Sequence, residues 1–139
     1  MTQLLLALRL LCPGHDSLAE SMQHEARRHL IHPVLLVLVV AAESHCNPDA
    51  VNKRSGAVGL GQILPAGSAN RGNYSPAKLR DPDLNLYLTA RHLAWCLVLC
   101  GDRPLHAVAV FNGSKKCRAT EWARRVLNGL RSALARRQT

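Results

Sequence analysis

Nine consecutive apolar residues, Val34 to Ala42, set the strongest constraint on how this chain can fold. They close an uncharged stretch running from His29, which also includes His32 and Pro33. That stretch is too short for the ~20 apolar residues a bilayer-spanning helix needs, so the run must be buried within protein. Four of its residues are Val and five are Leu or Ala. Periodicity therefore does not separate a buried strand from a buried helix. Pro33, just before the run, suits a first helical turn. Just after it comes Glu43, the first charge since Arg28. A carboxylate at the end of a buried segment is partly desolvated, which disfavours its charged form and raises its pKa. A carboxylic acid with a raised pKa is what general acid catalysis needs at neutral pH. A surface Glu that merely ends a helix fits the same residues.

The remaining punctuation predicts a mainly α chain forming one domain over residues 1–139. Cys12-Pro13-Gly14 ends an N-terminal apolar segment. That segment lacks a basic start, carries Arg9 within its apolar run and has no small-x-small cleavage site, so it is expected to pack on the domain as an amphipathic helix. Action outside a cytoplasm would then require delivery by some other means. Asp16 or Ser17 is expected to cap a helix to about Leu30, with Glu20 completing a capping box. Asn47 to Pro65 reads as a shaped loop with a short helical piece, and Ala66 to Arg80 as polar and turn-rich. Asp81 as cap, Pro82 at the first position and Gly101 as the stop define a helix running to Cys100. Asp102 and Pro104 repeat the start signal for Leu105 to Phe111. A last helix, about 118–137, places Ala119, Trp122, Ala123, Val126, Leu127, Leu130, Ala133 and Leu134 on one stripe, with most arginines opposite.

Aromatic residues make up only 4% of the chain, so the core must be aliphatic. A single-strand nucleic-acid binder built on stacking platforms is disfavoured for the same reason. The net charge is +9, of which residues 1–114 contribute +2 and the last 25 residues +7. The basic C-terminal helix suits contact with a polyanion, whether nucleic acid, acidic lipid or an anionic wall polymer; a solvated helix face fits equally. The five cysteines are odd in number and show no Cys-x-x-Cys spacing, and they are expected as small buried hydrophobes. His92, Cys96 and Cys100 share one helical stripe but lack the further convergent ligand of a tetrahedral site. No metal and no cofactor are expected.

Three glycines in Gly56-Ala57-Val58-Gly59-Leu60-Gly61 mark backbone that bends tightly or lies close to a ligand. The spacing matches no dinucleotide or phosphate fingerprint. Gln62 adds an amide that both donates and accepts, which suits hydroxyl- and acetamido-bearing sugars; a glycine-rich surface turn is the plainer alternative. Glu43-Ser44, Asn47-Pro48-x-Ala50, Gly56-Ala57-x-Gly59-Leu60-x-Gln62 and Pro65 together resemble the soluble lytic transglycosylases, relatives of goose-type lysozyme. Asp81-Pro82 with Asn85 and Leu93 looks like that family's next helix. Ala107 to Gly113 is similar to its Ala-x-x-Tyr-Asn-x-Gly segment. The resemblance spans about residues 30–127.

The resemblance implies a single lysozyme-like helical domain with a glycan-binding groove, in which Val34 to Ala42 is a buried helix delivering Glu43. It implies cleavage of the β-1,4 bond between N-acetylmuramic acid and N-acetylglucosamine, with Glu43 as general acid and then base. The muramoyl C6 hydroxyl would attack the anomeric carbon and leave a 1,6-anhydro end. Ordinary glycosidases use two carboxylates; an intramolecular nucleophile removes that need, and Asp49 is the only other acid between Glu43 and Asp81. Carried over residue by residue, Ser44, Gly59, Leu60, Gln62, Phe111 and Asn112 would serve substrate binding. Three departures stand out: Phe111 replaces the usual Tyr, residues 52–55 lengthen the link to Gly56, and Gly61 replaces a larger apolar residue. The expected partners are peptidoglycan glycan strands and other virion or secretion-apparatus proteins. A small basic form suits a phage particle acting on the periplasmic cell wall, with residence in the bacterial periplasm as the alternative. Two other functions keep the same fold: a lysozyme-type hydrolase using water, and a catalytically weak virion protein binding glycan or DNA.

Overall fold

Pro33 starts a helix rather than a strand. In the computed structural model, which describes residues 1–138, the apolar run forms α3 (Pro33–Ser44), and the His32 ring nitrogen accepts the Val34 N–H at 3.1 Å as its cap. Leu35 through Ala41 are all buried, so α3 has no solvent face over most of its length and must lie at the centre of the bundle. Around it pack α1 (Thr2–Leu11), α2 (Ala19–Arg28) and α7 (Glu121–Leu127). The long α5 (Pro82–Leu99) lies against α2, the short α4 (Pro76–Leu79) and α6 (Pro104–Phe111), and α8 (Gly129–Arg137) returns onto α1. No β-strand occurs among the described residues; two isolated antiparallel bridges, Val51 with Val58 and Val58 with Ile63, are the only sheet-like pairing. The fold is mainly α, as expected.

The α5 signals act as read. The Asp81 carboxylate accepts the Leu84 N–H at 3.0 Å, Pro82 opens the helix, and Gly101 leaves it in the left-handed region at φ +63°. Asp102, expected to start α6, instead finishes α5: its N–H donates to the Leu97 carbonyl at 2.8 Å, and α6 begins without a side-chain cap. The expected Ser17–Glu20 capping box does not form. Asp16–Leu18 make a 3-10 turn, and the Asp16 carboxylate is engaged by Arg9 Nε at 2.9 Å. No helical piece occurs within residues 47–65. The last helix is two, α7 and α8, broken at Asn128. A Cβ at Gly129 would lie 3.2 Å from a Leu38 methyl carbon, so the chain turns at a point where its backbone packs against an α3 side chain.

The cysteine expectation is corrected by the structure. Cys12 is bonded to Cys46, and Cys100 to Cys117. The first pairing follows from α1 lying on α3, and the second ties the end of α5 to the segment after α6. Both depend on tertiary neighbours, which spacing along the chain does not reveal. Only Cys96 behaves as the small buried hydrophobe expected of all five; burial pushes its thiol up to about 12. Cys100, held in a disulfide, is lost as a donor from the His92–Cys96–Cys100 stripe.

Candidate active site

Glu43 is the penultimate residue of α3, and the chain leaves that helix abruptly. His45 and Cys46 both lie in the left-handed region, at φ +52° and +61°, which costs a non-glycine residue of order 1 kcal/mol or more. The Cys12–Cys46 bond and the His45 N–H donating to the Ala41 carbonyl at 3.0 Å hold this end in place. The Glu43 side chain is thereby delivered into an open groove of about 660 Å³. Burial raises its carboxyl pKa from the usual 4.5 to about 7, because desolvation penalises the charged form. No hydrogen bond or ion pair reaches this carboxyl from the other described residues. It is also the only carboxylate among the residues lining the groove.

The opposite wall is irregular backbone held from α5. Asn85, fully buried, donates from its amide to the carbonyls of Val58 (3.0 Å) and Leu79 (2.8 Å). Its amide oxygen accepts the Gly61 N–H at 2.8 Å and the Thr89 hydroxyl at 3.1 Å. Gly59, at φ +81°, and Gly61 press so close to Asn85 and Thr89 that a Cβ at either would clash with them. This close approach to α5 accounts for the small residue at position 61. Gln62 follows in the left-handed region, and its amide nitrogen donates inward to the carbonyls of Ala50 (3.1 Å) and Gly59 (3.0 Å). The amide oxygen is left as an acceptor at the groove edge.

Of the residues expected at the site, Glu43, Gln62, Phe111 and Asn112 line the groove together. Ser44, Gly59 and Leu60 do not: all three are buried behind its wall. The Ser44 hydroxyl lies 2.7 Å from the Leu60 carbonyl and 3.0 Å from that of Val40, so it joins α3 to the glycine-rich turn and does not line the groove. Asp49, the one nearby acid of the sequence, does not line the groove either.

Among the groove residues that the sequence reading did not place at the site, two carry aromatic rings. His92 and Trp95 stand on one face of α5, their rings stacked at 5.7 Å and 13°, and His92 also meets Phe111 at 5.4 Å. Burial lowers the His92 pKa, which favours the neutral ring. Trp95 is 54% exposed; the signal the sequence offered was that it is one of two tryptophans in a chain with so few aromatics. The three rings form an apolar floor beside the acid, with Asn112 and the Gln62 amide oxygen supplying polar contacts. The arrangement suits a ligand with flat apolar faces and many hydroxyl or amide groups, presented to one protonated carboxylic acid.

Comparison with known proteins agrees with this chemistry. The chain is 36% identical over 72 residues to the endo-type membrane-bound lytic murein transglycosylase A of two strains of Klebsiella pneumoniae, an alignment covering 46% of this chain and 35% of each relative. It thus spans about a third of the length of the curated relatives it matches. No solved structure matches it. The Transglycosylase SLT domain model matches residues 20–128, which include Glu43 and every residue lining the groove, and the chain belongs to that family.

Proposed function

We propose that this chain is a peptidoglycan lytic transglycosylase in which Glu43 is the sole general acid and base. The observation that carries this reading is a single carboxylic acid, with its pKa raised to about 7, in a groove lined by no second carboxylate. A hydrolase of the usual two-carboxylate kind would need a partner about 5–9.5 Å away. In the proposed reaction, protonated Glu43 gives its proton to the oxygen bridging N-acetylmuramic acid and N-acetylglucosamine. The bond from that oxygen to the anomeric carbon breaks. The Glu43 carboxylate then takes the proton of the muramoyl C6 hydroxyl as that oxygen bonds to the anomeric carbon, which closes a 1,6-anhydro ring and restores the acid. Trp95 and Phe111 offer apolar ring surfaces to the sugars, while Gln62 and Asn112 hydrogen-bond their polar groups.

The site of action in this reading is the cell wall, which the chain opens locally. The exposed cations of residues 115–137 favour anionic wall polymers as a secondary contact. Two disulfides favour passage through an oxidising compartment, which fits periplasmic residence better than assembly into a phage particle within a reducing cytoplasm. No helix among the described residues is long and apolar enough to cross a membrane.

Mass spectrometry of the products released from purified peptidoglycan tests the proposal. Anhydro-muramoyl ends from the wild type and none from Glu43→Gln are expected. Reducing ends would convert the reading to hydrolysis. Undiminished release by Glu43→Gln would move the catalyst elsewhere.

A further inference from the structure

The helix pair α1 and α8 leaves apolar side chains on the outside of the bundle. A Cβ at Gly129, the first residue of α8, would lie 3.8 Å from a Leu11 methyl carbon at the far end of α1. Because α8 packs along α1 rather than running past its end, the two helices are antiparallel. At equal rise per residue, Leu134, five residues after Gly129, comes level with Leu6, five residues before Leu11. Ala133 is buried between the helices, but Leu134 is 50% exposed and Leu6 59% exposed. Half-buried Leu130 and Leu10, one turn away on each helix, continue the same strip.

The rim of this strip is cationic. Arg131 and Arg137 stand three residues either side of Leu134, on its face of α8, and Arg124 and Arg125 precede them on α7; all four are exposed. The ion pairs among the described residues engage none of them, and residues 122–138 contain no acid. On α1 the neighbouring Arg9 is neutralised by Asp16.

Cations alone fit any polyanion, wall polymers included. A hydrated polymer, however, gives exposed leucines among those cations nothing to enter. A bilayer with anionic headgroups takes both: the arginines meet its negative surface, and the leucines enter the boundary between headgroups and acyl chains. We propose that the α1–α8 face docks on an anionic lipid bilayer, with Leu6 and Leu134 as its apolar contacts and Arg131 and Arg137 meeting lipid phosphates. No residue of α1, α7 or α8 lines the groove, so a chain held this way keeps Glu43 open to substrate. The inference goes beyond the proposed reaction: it concerns where the groove is held, and not what it cleaves.

Vesicle flotation of the full chain tests it. At low ionic strength the wild type should partition roughly ten-fold more strongly onto phosphatidylcholine vesicles containing about 30% phosphatidylglycerol than onto phosphatidylcholine alone. Leu6→Ser with Leu134→Ser should lower partition onto the anionic vesicles roughly ten-fold, and Leu134→Ser alone about three-fold. Both serine variants should keep wild-type wall lysis and wild-type sedimentation with purified walls. Arg131→Gln with Arg137→Gln should weaken vesicle and wall binding together. Undiminished vesicle binding by the double serine variant would reduce the face to a plain polyanion contact and overturn the inference. Equal partition onto neutral and anionic vesicles, or none onto either, would overturn it as well. Self-association of the wild type in sedimentation velocity, abolished by the two serines and unaccompanied by vesicle binding, would assign the strip to a second copy of the chain and overturn it too.

Discussion

The Ser44 hydroxyl and the Leu60 carbonyl lie 2.7 Å apart, and through them the residue after the acid is bonded to the middle of the opposing turn. Asn85 grips that same turn from the α5 side. Replacing Asn85 by Ala leaves the Leu79 carbonyl, the Gly61 N–H and the Thr89 hydroxyl without these partners in a buried setting, while the Val58 carbonyl keeps the Ile63 N–H. At about 1 kcal/mol or more for each orphaned group, Asn85→Ala should lose roughly 3 kcal/mol in urea unfolding. Wall lysis should fall further than stability explains, because Gln62 and Glu43 lose their common frame. Unaltered unfolding would mean that the turn holds itself.

Glu43 couples pH to stability as well as to catalysis. Its carboxyl has a pKa of about 7 when folded, against the usual 4.5, so between those values the folded state binds more protons than the unfolded one. Stability therefore falls as pH rises from 4.5 to about 7, and the loss is complete above that. Glu43→Gln carries no such loss. The variant should melt roughly 3–6 °C above the wild type at pH 8 and close to it at pH 4.5. The same titration should make wild-type lysis decline on the alkaline side with a midpoint near 7. Parallel melting curves across this range would exclude a perturbed Glu43.

Phe111 shares the groove with Glu43 but offers no hydroxyl. A tyrosine hydroxyl donating to the carboxylate would stabilise its charged form and lower its pKa. Phe111→Tyr should therefore shift the alkaline limb of the activity profile to lower pH. A shift upward, or none, would show that the hydroxyl does not reach the acid.

The Cys12–Cys46 bond closes a sequence separation of 34 residues, for which chain entropy predicts about 3–4 kcal/mol of stabilisation. It also restrains the left-handed pair His45–Cys46 beside the acid. Paired Cys12→Ala and Cys46→Ala substitutions should lower the melting temperature and reduce lysis at temperatures where the protein remains folded. Full activity at 20 °C in that variant would show that the helix end keeps its shape without the bond.

Arg124, Arg125 and Arg131 are exposed on α7 and α8. Changing all three to Gln should weaken sedimentation with purified walls at low ionic strength and have little effect at 0.5 M salt, where the Debye length is only about 4 Å. Equal binding by variant and wild type at low salt would make these arginines a solvated face.

The parts of the architecture legible from the chain are those governed by local chemistry. Asp81, Pro82 and Gly101 delimit α5 through their own backbone preferences, and an acid following a buried run could be singled out before any fold was known. What escaped depends on neighbours distant in sequence. Cys12 meets Cys46 because α1 lies on α3. The break at Asn128 falls where Gly129 packs close to Leu38. Ser44, Gly59 and Leu60 belong to the recognised motifs, yet they build the wall from behind, while His92 and Trp95 face the groove from a helix whose apolar residues run almost all round it.

With five cysteines and two bonds, the odd thiol sits one helical turn from Cys100, where exchange would scramble the pairing. Exchange requires a thiolate. Burial holds the Cys96 proton on to about pH 12, leaving almost no attacking species at neutral pH. Folding therefore silences the one group able to rearrange the crosslinks, and the correct pairing, once reached, becomes kinetically protected by the core it helped to close.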